Sequence, residues 1–122
     1  METPETEIWL ENKQILWVRI REGAELNEEA MAACFAVYKQ LCGKKKLIQI
    51  IDSRATCSMT TEGKKYSAVH SPDFFTATAL ITEHLSVRML VNFYNKIHKH
   101  SVPFQVFRSE KDARTWLQDY LD

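Results

Sequence analysis

Apolar and polar side chains alternate with a period of two along residues 7–21, which is the spacing of β-strands. Asn12 and Lys13 interrupt the alternation near its middle. We therefore expect a β-hairpin that has one buried face and carries Arg19 and Arg21 on the other. The side chains expected on the buried face are those of Ile8, Leu10, Leu16, Val18 and Ile20.

Two helices are predicted in the next part of the chain. Asn27 supplies an N-cap, and apolar residues then recur at helical spacing until Gly43, a residue type that commonly ends helices. A shorter helix, opened by a threonine cap, is expected over residues 60–69. Its inward side chains would be Tyr66 and Val69.

Two more helices are predicted in the second half. Residues 85–98 are amphipathic, with one apolar stripe and with Arg88 and Asn92 on another. Ser109 and Asp112 form a variant capping box that opens the last helix. The inward side chains of that last helix would be Ala113, Trp116, Leu117 and Tyr120.

Short apolar segments at residues 46–52, 76–81 and 104–107 separate the helices. The first shows little alternation, which is typical of a strand covered on both faces. Strands alternating with helices predict an α/β fold: a mostly parallel five-stranded sheet with an antiparallel N-terminal hairpin strand and four helices. Asp52 would lie at the carboxyl end of an inner strand, where ligands of such sheets bind. Residues 1–122 are expected to form one domain.

Charge and composition argue against several classes of function. The 16 basic and 16 acidic side chains cancel, so the chain lacks the positive field typical of nucleic-acid-binding proteins. No apolar run approaches the ~20 residues that cross a bilayer, so neither membrane insertion nor secretion is expected. The three cysteines lack CxxC spacing, which predicts a cytoplasmic protein without disulfides. His98 and His100 diverge on a helix end, so we expect no metal site and no cofactor.

Five stretches of the sequence resemble the STAS family, the anti-sigma-factor antagonist domains. They read IIDSRA, TTEGKKYSA, TALITEHLSVRMLVNFY, SVPFQVF and DARTWLQDYL, and together they span nearly the whole chain. They are most similar to a bacterial branch of small uncharacterised STAS-like proteins. The resemblance implies a STAS-like fold and a non-catalytic regulatory or protein-binding role.

Classical members of that family carry an Asp-Ser-Ser-Gly loop whose serine is phosphorylated by a partner kinase. The matching residues here run from Thr60 to Gly63, and Thr61 stands at the serine position. Thr60 replaces the aspartate, which argues against the classical phospho-switch. Thr60 and Thr61 are the candidate phosphoacceptors, and the alternative is that one of them is simply the N-cap of the helix.

A second candidate site combines Asp52, Arg54, Arg88 and Asn92 at the carboxyl edge of the sheet. These side chains could hold an anion or the backbone of a protein partner. The alternative is an internal ion pair of Asp52 with Arg54 that orders the loop after the strand. The alternative function is a carrier or sensor of a small apolar or anionic ligand, which would bind between the sheet edge and the Arg88 helix.

A third hypothesis is an enzyme that uses Asp52 together with Cys57 or Thr61. The chain contains no GxSxG, Walker A or dinucleotide-binding motif. We therefore expect no catalysis.

Trp9 and Trp17 both fall in the predicted hairpin. If no helix covers them, they form an aromatic patch suited to self-association, and this patch predicts a homodimer. Both rings would otherwise pack as core over the sheet edge.

Overall fold

The structure, a computed structural model, describes residues 1–97 and 102–121; the side chains of residues 90 and 93–97 are not described. Within these ranges, no helix is long and apolar enough to cross a bilayer. The elements are β1 (Thr6–Glu11), β2 (Ile15–Ile20), β3 (Glu25–Leu26), α1 (Glu28–Cys42), β4 (Leu47–Asp52), β5 (Ser58–Met59), α2 (Thr61–His70), β6 (Phe75–Ile81), α3 (Leu85–Ile97), β7 (Phe104–Phe107) and α4 (Glu110–Leu117).

The main sheet has five strands in the order β1-β2-β4-β6-β7. β1 pairs with β2 in antiparallel orientation, and every other neighbouring pair is parallel. The hairpin turn uses the left-handed region at Asn12 and Lys13, where φ is 53° and 59°. The predicted fold class is confirmed, and the carboxyl ends of β2, β4, β6 and β7 lie at one edge of the sheet.

An apolar layer covers each face of this sheet. On one face, Phe35 and Tyr38 of α1 pack with Phe75 of β6. On the other face, Ala113 and Leu117 of α4 belong to a second cluster that includes Ile48 and Ile50 of β4. β4 is therefore buried on both faces, as its lack of alternation predicts.

The expectation that the hairpin buries only one face is wrong for β2. Trp17, on the face assigned to Arg19 and Arg21, is buried in the same cluster as Ala113 and Leu117. The last helix, α4, packs on this face of the sheet. The alternation of residues within a strand does not show that a helix far away in the sequence will cover its polar face.

The expected inward position of Val69 is also wrong, because 70% of this residue is exposed. α2 contacts α1 along a narrow stripe in which Tyr66 and His70 lie 5.6 and 6.0 Å from the ring of Phe35. Gly63 continues this stripe one turn earlier, and Val69 points to solvent.

The chain also forms a two-stranded parallel sheet from β3 and β5, which the sequence did not predict. Glu25 pairs with Ser58 and Leu26 pairs with Met59. This small sheet joins the loop after β2 to the loop after β4 and so fixes the start of α2.

Candidate functional site at the carboxyl edge of the sheet

Asp52 is the last residue of β4 and is only 5% exposed. In the sheet it pairs with Arg19 of β2 on one side and with Ile81 of β6 on the other. The Arg54 side chain donates two hydrogen bonds to the Asp52 carboxylate, from Nε to Oδ1 at 3.0 Å and from Nη2 to Oδ2 at 2.8 Å. The Arg54 backbone N–H donates a third bond to Oδ1 at 3.2 Å.

Arg19 adds a second positive charge, with its Nε 3.5 Å from Oδ2 of Asp52. Burial raises the pKa of the Asp52 carboxyl, but the hydrogen bonds and charge of Arg54, together with the charge of Arg19, outweigh it. The net pKa lies below the usual value of an aspartate. The same contacts raise the pKa of Arg54. The carboxylate is therefore charged and already bound.

This arrangement corresponds to the alternative in which Asp52 and Arg54 form an internal pair that orders the loop. An aspartate whose oxygens already accept three bonds from Arg54 is poorly placed to act as a general base. Both arginine side chains remain about half exposed, with 50% of the Arg19 side chain and 44% of the Arg54 side chain open to solvent.

Arg88 and Asn92 lie on α3 and do not join this cluster. Among the described residues, no hydrogen bond or ion pair links either side chain to Asp52 or Arg54. Asn92 is exposed, whereas Arg88 is partly buried and its Nε has no hydrogen-bond partner. Their predicted role in binding stays a prediction.

The two threonines at the start of α2 occupy different positions. Thr60 is the N-cap, and its Oγ1 accepts a hydrogen bond from the Gly63 N–H at 3.0 Å. Thr61 is the first helical residue and is exposed. The capping alternative therefore describes Thr60, and Thr61 has the more accessible hydroxyl.

The start of α2 is held against β3 at very short range. The Thr60 N–H donates to the Leu26 carbonyl at 3.2 Å. A Cβ added to Gly63 would lie 2.1 Å from the same carbonyl oxygen, so a larger residue does not fit there. Glycine is required at position 63 by this close approach of the two backbones. Its backbone conformation does not require glycine, because its φ lies outside the left-handed region.

Two apolar side chains of α3 are strongly exposed: Leu85 at 59% and Met89 at 63%. They are four residues apart and so lie on one side of the helix, next to each other. Val69 on α2 is the third large exposed apolar side chain within the described helices.

The tryptophan rings stack on each other, with centroids 5.5 Å apart and an angle of 4° between their planes. The guanidinium group of Arg19 lies 5.2 Å from the Trp9 ring, and that of Arg114 lies 5.4 Å from the Trp17 ring. Trp17 is thus enclosed as core, whereas Trp9 is partly buried. The predicted aromatic patch shrinks to one ring, and the homodimer stays a prediction.

The three thiols are free, and their surroundings do not activate them. Burial and the nearby charge of Glu22 raise the pKa of Cys57. Burial alone raises the pKa of Cys42 to about 11, and burial is the main cause that raises the pKa of Cys34. A nucleophilic cysteine needs a lowered pKa, so Cys57 lacks the environment of a catalytic thiol.

The described residues contain no group of three or more His, Cys, Asp or Glu side chains able to hold a metal ion. His98 and His100 lie outside the described residues. Two small recesses do occur, and both include Ile48, near the amino end of β4. The larger, of ≈ 140 Å³, lies between β2 and α4, and neither recess is lined by Asp52 or Arg88.

A model of a protein family, a domain of unknown function designated DUF7793, matches residues 8–121. The chain belongs to this family. No curated protein matches it significantly.

Two solved structures are similar to the chain. One is an uncharacterised protein of the DUF3478 family with a SpoIIAA-like fold from Shewanella loihica PV-4; the TM-score is 0.67 at 16% identity, over 92% of this chain and 91% of that chain. The other is the anti-sigma factor antagonist SpoIIAA in its unphosphorylated form, with a TM-score of 0.52 at 14% identity, over 93% of this chain and 97% of that chain. The STAS-like fold expected from the sequence is confirmed.

Arg19 is a partner of Asp52 that the sequence pattern does not indicate. Their contact depends on the stagger between β2 and β4, which pairs these two residues. Leu85 and Met89, in contrast, could have been found, because they are apolar residues outside the apolar stripe predicted for their helix. That predicted stripe consists of Val87, Leu90, Val91, Tyr94 and Ile97.

Proposed function

We propose that this domain is a non-catalytic regulatory module that binds an apolar patch on another protein. Its docking face consists of Leu85, Met89 and the exposed start of α2 at Thr61. The observation that carries the proposal is the exposure of Leu85 and Met89, two adjacent apolar side chains at the start of a helix. Large exposed apolar side chains that cluster mark protein-binding surfaces.

The topology supports a single docking face. α2 follows β4 and α3 follows β6, and these parallel strands are neighbours, so both helices start at the carboxyl edge. The crossovers from β4 to β6 and from β6 to β7 advance in the same direction across the sheet. Right-handed crossovers of this kind put both helices on the same face.

The fold likeness to SpoIIAA, an anti-sigma factor antagonist, supports a regulatory role for the module. The engagement of Asp52 by Arg54 and the raised pKa of Cys57 support the absence of catalysis. The free thiols support the reducing cytoplasm of a bacterium as its compartment.

The test is capture of a partner from an extract of the cells that make the protein, with matched variants as bait. Met89→Glu places a charge in the docking face, whereas Val69→Glu places the same charge on an exposed apolar position elsewhere on α2. We expect a protein that the wild type and Val69→Glu retain and that Met89→Glu loses. Loss with both variants, or retention by both, would refute the docking face.

Phosphorylation would regulate this face through Thr61. A phosphate there adds about −2 charge at the carboxyl edge, where α3 also starts, and would weaken an apolar contact made at that edge. Incubation of the protein with the extract and ATP, followed by peptide mass spectrometry, should place phosphate on Thr61 and none on Thr60. Phosphate on Thr60, or on neither residue, would refute regulation through Thr61. It would not bear on the docking face, which the capture experiment tests separately.

A further inference from the structure

The first five residues turn back onto the outer edge of β1. Glu2 forms an antiparallel bridge with Glu7. The Ile8 N–H donates to the Met1 carbonyl at 2.8 Å. Residues 1–5 therefore occupy part of the edge at which the five-stranded sheet would otherwise end.

Two buried threonines anchor this turn. The Thr3 N–H donates to the Thr6 carbonyl at 2.9 Å, and the Thr6 N–H donates to Thr3 Oγ1 at 3.0 Å. The two hydroxyl oxygens are 2.7 Å apart, and that of Thr6 lies 3.5 Å from Cys34 Sγ on α1. The segment is thus fixed to the fold by specific contacts.

The segment covers the backbone groups of β1 that point away from β2. The Arg21 N–H donates to the Glu5 carbonyl at 2.9 Å, so the backbone groups of Glu5 point toward β2. The backbone groups of every second residue after Glu5 point toward β2 as well. The residues whose backbone groups point outward are then Thr6, Ile8 and Leu10. Residues 1–5 bond the first two of these and do not reach Leu10.

We propose that residues 1–5 are a built-in cover that prevents β1 from pairing with β1 of a second copy of this chain. An uncovered edge strand is a template for strand addition, and antiparallel pairing of a strand with itself is self-complementary about a twofold axis. A register centred on Ile8 puts Glu7 opposite Trp9 of the second copy. It also puts Glu11 opposite Glu5, a like-charge pair that is absent when residues 2–5 are removed. If residues 1–5 were displaced, the β1 strands of two copies could pair, and the two five-stranded sheets would become one continuous sheet. This inference is independent of the proposed docking face on α2 and α3.

The test compares the full chain with a variant that lacks residues 2–5, using size-exclusion chromatography with light scattering over a wide concentration range. The full chain should keep the mass of one chain, 14.2 kDa, a result that would also refute the homodimer predicted from the Trp9 and Trp17 hairpin. The deletion variant should form a dimer. Leu10→Pro in the deletion variant should restore the monomer, because proline removes an outward N–H and is tolerated in edge strands.

A folded deletion variant that stays monomeric would overturn the proposal, and so would a full chain that already dimerises through β1. If the deletion variant does not fold, Thr3→Val in the full chain provides the test, because it removes the hydroxyl that accepts from the Thr6 N–H. Amide exchange at Ile8 should then quicken about tenfold or more, while exchange at Ile50 in the core stays unchanged. Unchanged exchange at Ile8 would also overturn the proposal.

Discussion

Thr60 and Thr61 are neighbours in sequence, but only one of them stabilises α2. Thr60 caps the helix through the Gly63 N–H, whereas the Thr61 side chain is exposed. Thr60→Ala should therefore lower the free energy of unfolding by about 1 kcal/mol. Thr61→Ala should change it by less than about 0.5 kcal/mol. Urea denaturation of the two variants measures both values, and the reverse order would show that the cap is assigned to the wrong residue.

Asp52 makes the stability of the domain depend on pH. The pKa of its carboxyl is lowered on folding, so its contribution is present above the unfolded pKa of about 4 and is lost as the pH falls through the lower folded value. Asp52→Asn should cost about 2 kcal/mol near pH 7, because it removes charged hydrogen bonds to Arg54. The difference from wild type should shrink as the pH falls below about 4.

Thermal denaturation of wild type and Asp52→Asn across this pH range tests that prediction. Asp119→Asn, at an exposed position, is the control and should change stability by less than about 0.5 kcal/mol. A difference between wild type and Asp52→Asn that stays constant down to low pH would show that the ion pair does not titrate as described.

The cysteines should differ in their rates of reaction with a thiol reagent in the native protein. Cys57 is partly exposed, whereas Cys34 and Cys42 are buried, and the pKa of Cys42 is about 11. Mildly alkaline labelling with a disulfide reagent should modify Cys57 first, because buried thiols must wait for local opening. Peptide mapping of the first modified product gives the order, and early labelling of Cys34 would contradict the packing around Thr6.

At the scale of elements, the junction of α2 with β3 leaves no room for a side chain at Gly63. Gly63→Ala would drive a Cβ into the backbone oxygen of Leu26, so it should destabilise the protein by about 3 kcal/mol. Gly43→Ala is the control: no atom lies within 4 Å of its Cβ, so its cost comes only from a backbone conformation (φ 61°, ψ −126°) that is unfavourable for alanine, and should be about 1–2 kcal/mol. Equal costs in chemical denaturation would mean that α2 is not held against β3.

The regular elements could be predicted because their periods are long enough to be counted. α1 begins after Asn27 and α4 begins after Ser109, as their capping residues indicate. β3 and β5 have two residues each, which is too few to show a period, and they form only because two loops meet. Val69 was misplaced because α2 buries a narrow stripe around Gly63 and Tyr66, and the sequence does not show how much of a helix its neighbours cover.

The candidate site was predictable only in part. The position of Asp52 at the end of a buried strand followed from the absence of alternation in β4, and its pairing with Arg54 followed from their proximity in sequence. The separation of Arg88 and Asn92 from that pair depends on where α3 crosses the sheet, which no local pattern determines. The cover formed by residues 1–5 depends on contacts between Thr3 and Thr6 that composition does not reveal.

At the scale of the whole molecule, the proposed binding surface and the Asp52 ion pair both lie at the carboxyl edge of the sheet. At the carboxyl edge, the Asp52 carboxylate is already paired with Arg54. The helices that start at this edge expose Leu85, Met89 and Thr61. These features are the basis of the proposed protein-binding role. The chain belongs to the DUF7793 family and has a SpoIIAA-like fold.

The affinity of the captured protein for purified variants of this chain is the most direct test of a working surface on α2 and α3. Isothermal titration should give a Kd that rises about tenfold or more for Met89→Glu and stays unchanged for Val69→Glu. Equal affinity for the wild type and Met89→Glu, with both variants folded, would contradict the account.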